Sequence, residues 1–194
     1  MAKYQLHYEV IDEESKKKGT DYEEAFEWVE TLLISFFVVI LVFTFLLRIA
    51  EVSGDSMNPT LNNNDRLIVS YLGYTPANGD IVLVDCNNTI LEEVIVKRVI
   101  ATEGQTVDID FATGTVKVDG TVLEESYINN LTQLDERGHQ YPVTVPADCV
   151  FVMGDNRMDS LDSRSEVVGF VNESDVLGKV IFRYFPFNSI GVPA

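Results

Sequence analysis

Ser56 lies in the run Ser53-Gly54-Asp55-Ser56-Met57-Asn58-Pro59-Thr60-Leu61, where glycine, asparagine and proline mark a sharp turn. A serine hydroxyl becomes a nucleophile only if a neighbouring base takes its proton. Histidine is the familiar base, but the chain holds two, His7 in an N-terminal tail and His139 in the polar stretch Glu136-Arg137-Gly138-His139-Gln140. A surface loop is the plain expectation for His139, so a Ser-His-Asp arrangement has weak support. Lysine can serve instead when burial among apolar groups disfavours its charged form. Lys97 fits. Alternate residues of a strand share a face, so Lys97 lies with Ile95 and Val99, while Arg98 lies with Val96 and Ile100. Taken alone, Lys97 also reads as a lysine on an exposed strand face. A third segment, from Gly154-Asp155-Asn156-Arg157 to Ser160-Leu161-Asp162-Ser163-Arg164, follows the apolar run Val150–Met153. It gathers turn formers, hydroxyls and arginine–aspartate pairs, and a polar hairpin tip is its plainer reading. Loops on rigid strands are where residues that orient a catalytic group are found.

The elements that must position these groups begin with a membrane segment. Thr31 to Leu47 is 17 residues without a charge, followed by Arg48 and apolar Ile49 and Ala50. At about 1.5 Å per residue that is roughly 26 Å, against a hydrocarbon core about 30 Å thick. Trp28 and a snorkelling Arg48 extend the span. We expect a single transmembrane helix over 31–50, uncleaved, because a polar tail precedes it and no small-x-small site follows it. Lys16, Lys17 and Lys18 precede the helix and only Arg48 follows it before Arg66. The positive-inside rule then puts the tail, residues 1–30, in the cytoplasm and residues 51–194 outside the cell membrane. In the tail, Tyr22, Ala25, Phe26 and Val29 recur at helical spacing, as a short amphipathic helix or as an extension of the membrane helix.

Beyond residue 50 the pattern is of strands: 66–71, 80–85, 93–100, 115–118 and 149–153, bounded by Asn/Gly/Asp turns. Thr115–Val118 and Thr121–Leu123 around Asp119-Gly120 read as a hairpin. No helical pattern alternates with the strands, so a parallel α/β sheet is disfavoured. The expected domain is mostly β, a barrel-like or folded sheet, with a hairpin or loop excursion over about 105–148. The net charge is −17, and residues 51–194 hold nine Lys and Arg against 22 Asp and Glu. So acidic a surface repels phosphates and disfavours nucleic acid as a partner. Cys86 and Cys149 match no metal-ligand spacing and are too few for a disulfide framework. Buried free thiols are expected, with a single disulfide open if the domain is extracytoplasmic.

Four segments together resemble the bacterial type I signal peptidases: Gly54-Asp55-Ser56-Met57-Asn58-Pro59-Thr60-Leu61, Gly79-Asp80-Ile81-Val82, Val96-Lys97-Arg98-Val99 through Gly104, and Gly154-Asp155-Asn156-Arg157 with Ser160-x-Asp162-Ser163-Arg164. The resemblance covers the anchor and 50–185. It implies a membrane-bound serine endopeptidase that removes N-terminal signal peptides from exported preproteins after small-x-small sites, without metal or organic cofactor. It implies Ser56 as nucleophile, Lys97 as general base, Ser160 as a hydrogen-bond partner of the lysine amine, and Asp162 and Arg164 as a pair beneath the site. It implies the Ser56 backbone N–H as an oxyanion donor. Where some family members carry a second, hydroxyl donor, this chain has Gly54, as in the Gram-positive branch. Met57, Leu61 and Val96 match the substrate pocket. A non-catalytic relative would keep the fold and anchor without the Ser/Lys pair. A self-cleaving regulatory protease would share the chemistry without the membrane helix.

Overall fold

The computed structural model describes Tyr22 and residues 24–42, 44, 46–87 and 91–193, so His7 lies outside the described residues. The chain forms two compact units, Met1–Phe45 and Leu46–Ala194.

The described part of the first unit is one helix, α1, Glu24–Val42, long and apolar enough to cross a membrane. The helical spacing of Tyr22, Ala25, Phe26 and Val29 runs directly into it. Leu32, Leu33, Ile34, Phe36 and Phe37 are all exposed, as in a helix built for an apolar solvent rather than a protein core. Its hydroxyls are satisfied within the helix: Thr31 donates to the Glu27 carbonyl and Ser35 to the Thr31 carbonyl, at 2.8 and 2.7 Å.

The second unit corrects the expected end of the helix. Leu47–Glu51 is not helical but forms strand β1, paired antiparallel with β2 (Arg66–Ser70) from Leu47↔Ser70 to Glu51↔Arg66. The apolar run is continuous in sequence, but β2 offers these residues a hydrogen-bonding ladder, and tertiary pairing overrides local pattern. Arg48 therefore sits on a strand, its guanidinium 4.8 Å from the centre of the Tyr71 ring.

The remaining strands are β3 (Ile81–Asp85), β4 (Val94–Thr102), β5 (Thr106–Asp110), β6 (Thr115–Val118), β7 (Thr121–Val122), β8 (Val143–Thr144), β9 (Cys149–Met153), β10 (Val171–Asn172) and β11 (Val176–Phe185). The large sheet has the order β1-β2-β11-β3-β4-β9-β10, antiparallel throughout. Register shifts at Val180/Phe182, Arg183/Phe185 and Val99/Ala101 bend it, and it curls into a half-barrel. The mostly-β fold with a folded, barrel-like sheet is thus as expected. The excursion over about 105–148 is a second sheet, β7-β6-β5-β8. Its β6–β7 turn, Asp119-Gly120, has φ of 51° and 78°, the paired positive values of a two-residue type I′ turn.

β3 and β9 are buried on both faces, which explains their unbroken apolar runs. Ile81 and Leu83 join one core with Met57, Leu61, Leu67 and Val69. Val82 and Val84 join another with Cys86, Ile95, Val99, Val150 and Val152. Phe151 and Met153 turn to a third, with Val107, Ile109, Val116 and Val118 of the small sheet. Cys86 and Cys149 belong to different cores, both buried and both free thiols.

Candidate active site

The Ser56 turn closes the connection between β1 and β2. Asn58 N–H donates to the Asp55 carbonyl at 3.1 Å, and Gly54 N–H donates to Asn63 Oδ1 at 3.0 Å. Gly54 has φ of +88°, a conformation that glycine adopts without a Cβ penalty. Met57 and Leu61, 1% and 0% exposed, plug this turn into the core. Neither is among the residues that line the cleft at Ser56, whereas Val96 is.

β4 projects Lys97 from the face it shares with Ile95 and Val99, and at 3% exposure it has left water almost completely. Its Nζ is 2.7 Å from Ser56 Oγ. Burial pushes the amine below the usual lysine range, against the opposing pull of the Asp162 and Glu93 charges. Base and hydroxyl are therefore in hydrogen-bond contact, and the lysine is biased toward its neutral, proton-accepting form.

The loop after β9 holds both. Asn156 N–H donates to the Ser56 carbonyl at 2.9 Å, and Asn156 Nδ2 donates to the Asp55 carbonyl at 3.1 Å. Asp162 is fully buried and accepts from Gly154 N–H at 2.9 Å, Ser160 Oγ at 2.8 Å, and Arg164 Nε and Nη2 at 2.9 and 2.8 Å. Burial alone would raise its pKa, but the Arg164 pair and these donors outweigh burial and hold the carboxyl below the ordinary range. Asp162 and Arg164 thus form a buried ion pair. The Ser160 hydroxyl donates to Asp162, and the hydrogen bond of Nζ is with Ser56. With the Arg164 backbone N–H at 3.2 Å, five donors converge on the Asp162 carboxylate, the Ser160 hydroxyl among them.

Arg98, on the opposite face of β4 from Lys97, clamps Asp155 in a bidentate pair at 2.8 and 2.7 Å, and Thr60 donates to the same carboxylate. The Arg98 guanidinium also lies 3.9 Å from the centre of the Tyr127 ring. Arg157, fully buried, pairs with Glu125 and donates to Thr132 Oγ1 at 2.6 Å. The sequence reading did not assign these partners. Its usable signal was Arg98 itself, since a cation on an inward-facing strand position requires a buried carboxylate.

His139 sits half-buried in a loop and does not line the cleft at Ser56. Its ring centre is 4.5 Å from that of Phe170 and 5.9 Å from that of Phe151, and burial lowers its pKa. Among the described residues no group of three or more His, Cys, Asp or Glu side chains is placed to hold a metal ion.

Ser56 and Lys97 open into a cleft of about 280 Å³, walled by Ser53–Ser56 on one side and Glu93–Lys97 on the other, with Asp159 and Leu161 contributed by the loop. β4 pairs with β3 over Val94–Arg98 but with β9 only from Arg98 onward. Along the cleft, Val94–Lys97 therefore keeps one backbone edge outside both ladders.

Residues 25–185 match the family model described as signal peptidase, peptidase S26. The chain is 35% identical to signal peptidase I P of Bacillus subtilis subsp. natto over 190 residues, 93% of this chain and 98% of that protein. It is 37% identical to probable signal peptidase I-1 of Synechocystis over 175 residues, 85% of each. A crystal structure of a signal peptidase I from Enterococcus faecalis V583 aligns with 55% of the chain at 29% identity and a TM-score of 0.46. With a family model spanning most of its length, and a serine in contact with a buried lysine, this chain belongs to the signal peptidase I family of serine peptidases.

Proposed function

We propose that this protein removes N-terminal signal peptides from exported preproteins, cutting after small-x-small sites with Ser56 as nucleophile and Lys97 as general base. The observation that carries the reading is the 2.7 Å contact between Ser56 Oγ and a buried Lys97 Nζ at the cleft. Neutral Lys97 takes the Oγ proton as Oγ bonds to the scissile carbonyl carbon. The Ser56 N–H, which makes no hydrogen bond among the described residues, donates to the developing oxyanion. The C–N bond then breaks, and Lys97 returns its proton to the leaving amine. Water, deprotonated by Lys97, attacks the acyl ester and releases Ser56 with its proton restored.

The substrate lies extended along Val94–Lys97 and completes the free edge of β4, a mode in which main-chain hydrogen bonds supply affinity and pockets supply specificity. Val96 faces the cleft and excludes bulky side chains. Met57 and Leu61 support it from the core beneath. The α1 anchor spans the cell membrane with residues 1–30 cytoplasmic and the β domain outside. The test is cleavage of a secretory precursor by the full chain in detergent. The parent cuts after a small-x-small site, while folded Ser56→Ala and Lys97→Ala do not. A fully active Lys97→Ala removes lysine from the mechanism.

A further inference from the structure

The cleft that holds Ser56 and Lys97 is also lined by Glu51, Asp55, Glu93 and Asp159, carboxylates from three separate segments. Glu51 is met by Arg66 at 3.2 Å. Asp55 accepts from Asn58 Nδ2, and among the described residues Asp55, Glu93 and Asp159 take part in no ion pair. Glu93 and Asp159 are exposed.

Among the described residues no cation is ion-paired with Asp55, Glu93 or Asp159. Seven of the nine Lys and Arg side chains after residue 50 are engaged in ion pairs. The eighth, Lys97, is held toward its neutral form, and the ninth, Arg137, does not line the cleft. A concave site walled by one sign of charge concentrates field within it. Glu93 immediately precedes β4 and lies four residues before Lys97, about 13 Å along an extended chain, and both line the cleft. A peptide laid on that edge therefore passes a carboxylate within a few residues of its scissile bond.

Resting on the peptidase reading above, we propose that this cleft selects substrates carrying Lys or Arg within a few residues of the cut and disfavours those carrying Asp or Glu there. Neither outcome changes the role of Ser56 and Lys97. The charges act on encounter and on ground-state and transition-state binding together.

The test uses the full chain in detergent and a set of peptides with one small-x-small site. Lys, Gln or Glu is scanned through the middle position of the triplet and two residues on either side. At low salt, kcat/KM runs Lys > Gln > Glu at one or more positions, with Lys over Glu about 10-fold, as expected when attraction and repulsion at an exposed pair are each worth a few-fold. In 1 M salt, where the Debye length is about 3 Å, the ratio falls below about twofold. Glu93→Gln with Asp159→Asn shrinks the ratio at low salt. Equal rates for Lys and Glu peptides at every position, all of them cut, overturn this proposal and leave the peptidase reading intact. A preference unmoved by salt or by the double variant also overturns it. A set left wholly uncut overturns both.

Discussion

Gly154→Ala isolates how closely the post-β9 loop is fitted to the nucleophile. A Cβ at Gly154 would sit 2.2 Å from Ser160 Oγ, 2.6 Å from Ser160 Cβ and 2.5 Å from the Ser56 carbonyl oxygen. Gly154 is not among the residues with positive φ, so alanine suits its backbone and the effect is steric alone. To reach ordinary contact near 3.4 Å, the neighbours must move by about 1 Å. All three atoms belong to Ser56 or to Ser160, the residue whose hydroxyl donates to Asp162. Overpacking of this kind costs about 1–3 kcal/mol. A displacement of about 1 Å at a reacting group costs on the order of 100-fold in rate. The expected result is a folded protein with a thermal midpoint lower by several degrees and kcat down about 100-fold. The assay is precursor cleavage under saturating substrate, with thermal unfolding of the same preparation. A Gly154→Ala protein that keeps parental kcat refutes the argument that this close approach holds Ser56 in place.

Because Lys97 acts as the neutral amine, kcat should rise with pH through its lowered pKa, and a pH–rate profile flat across that limb would contradict the assignment. The same shift has a stability sign. Between the lowered folded pKa and the unfolded value near about 10.4, the unfolded chain holds one more proton, so stability rises with pH and falls as the buried amine is forced to charge. Lys97→Met should therefore be more stable than the parent at neutral pH, measured by urea unfolding, and inactive. Arg98→Ala strands Asp155 as an unpaired buried carboxylate and should cost about 3–5 kcal/mol, whereas Arg98→Met with Asp155→Leu costs less, a difference that a double-mutant cycle reads directly. His139→Phe fills an aromatic cluster with another ring and should leave precursor cleavage within about twofold of parent, since no step uses its imidazole; loss of cleavage in a folded variant would return histidine to the mechanism.

The parts of the site legible in the sequence were those in which chemistry and spacing agree. Lys97 reads inward because strand alternation sets it beside Ile95 and Val99, and a lysine on that face must surrender its charge or find a partner. Leu47–Ala50 read as helix because an apolar run carries no mark of where a ladder partner waits, and the partner, β2, is nearly twenty residues on. β11 was not anticipated for a similar reason. Its strand contains Gly178 and pairs with β2 and β3, roughly a hundred residues earlier, so its stability is almost wholly non-local. Met57 and Leu61 show the limit of composition. An apolar residue beside a nucleophile can line a pocket, anchor a turn or do both, and composition alone does not separate these. Ser160 shows the same limit: its hydroxyl donates to Asp162, and sequence spacing does not tell which of its neighbours takes that proton.

The buried Asp162 carboxylate bears on how a lysine stays a base in a chain with a net charge of −17. Every carboxylate near an amine favours its protonated form, so an acidic protein works against Lys97. Asp162 is the strongest of the charges that do so. Arg164 pairs with Asp162 through two nitrogens and itself pulls the lysine pKa down, and both side chains are fully buried. An ion pair so placed gains little net stability over apolar packing. Its contribution here is a local charge balance near zero around the amine, while Gly154 and Ser160 complete the hydrogen bonds of the carboxylate. Burial then decides the protonation state of Lys97, and the acidic excess is left to the exposed walls of the cleft, where it can act on the substrate instead of on the base.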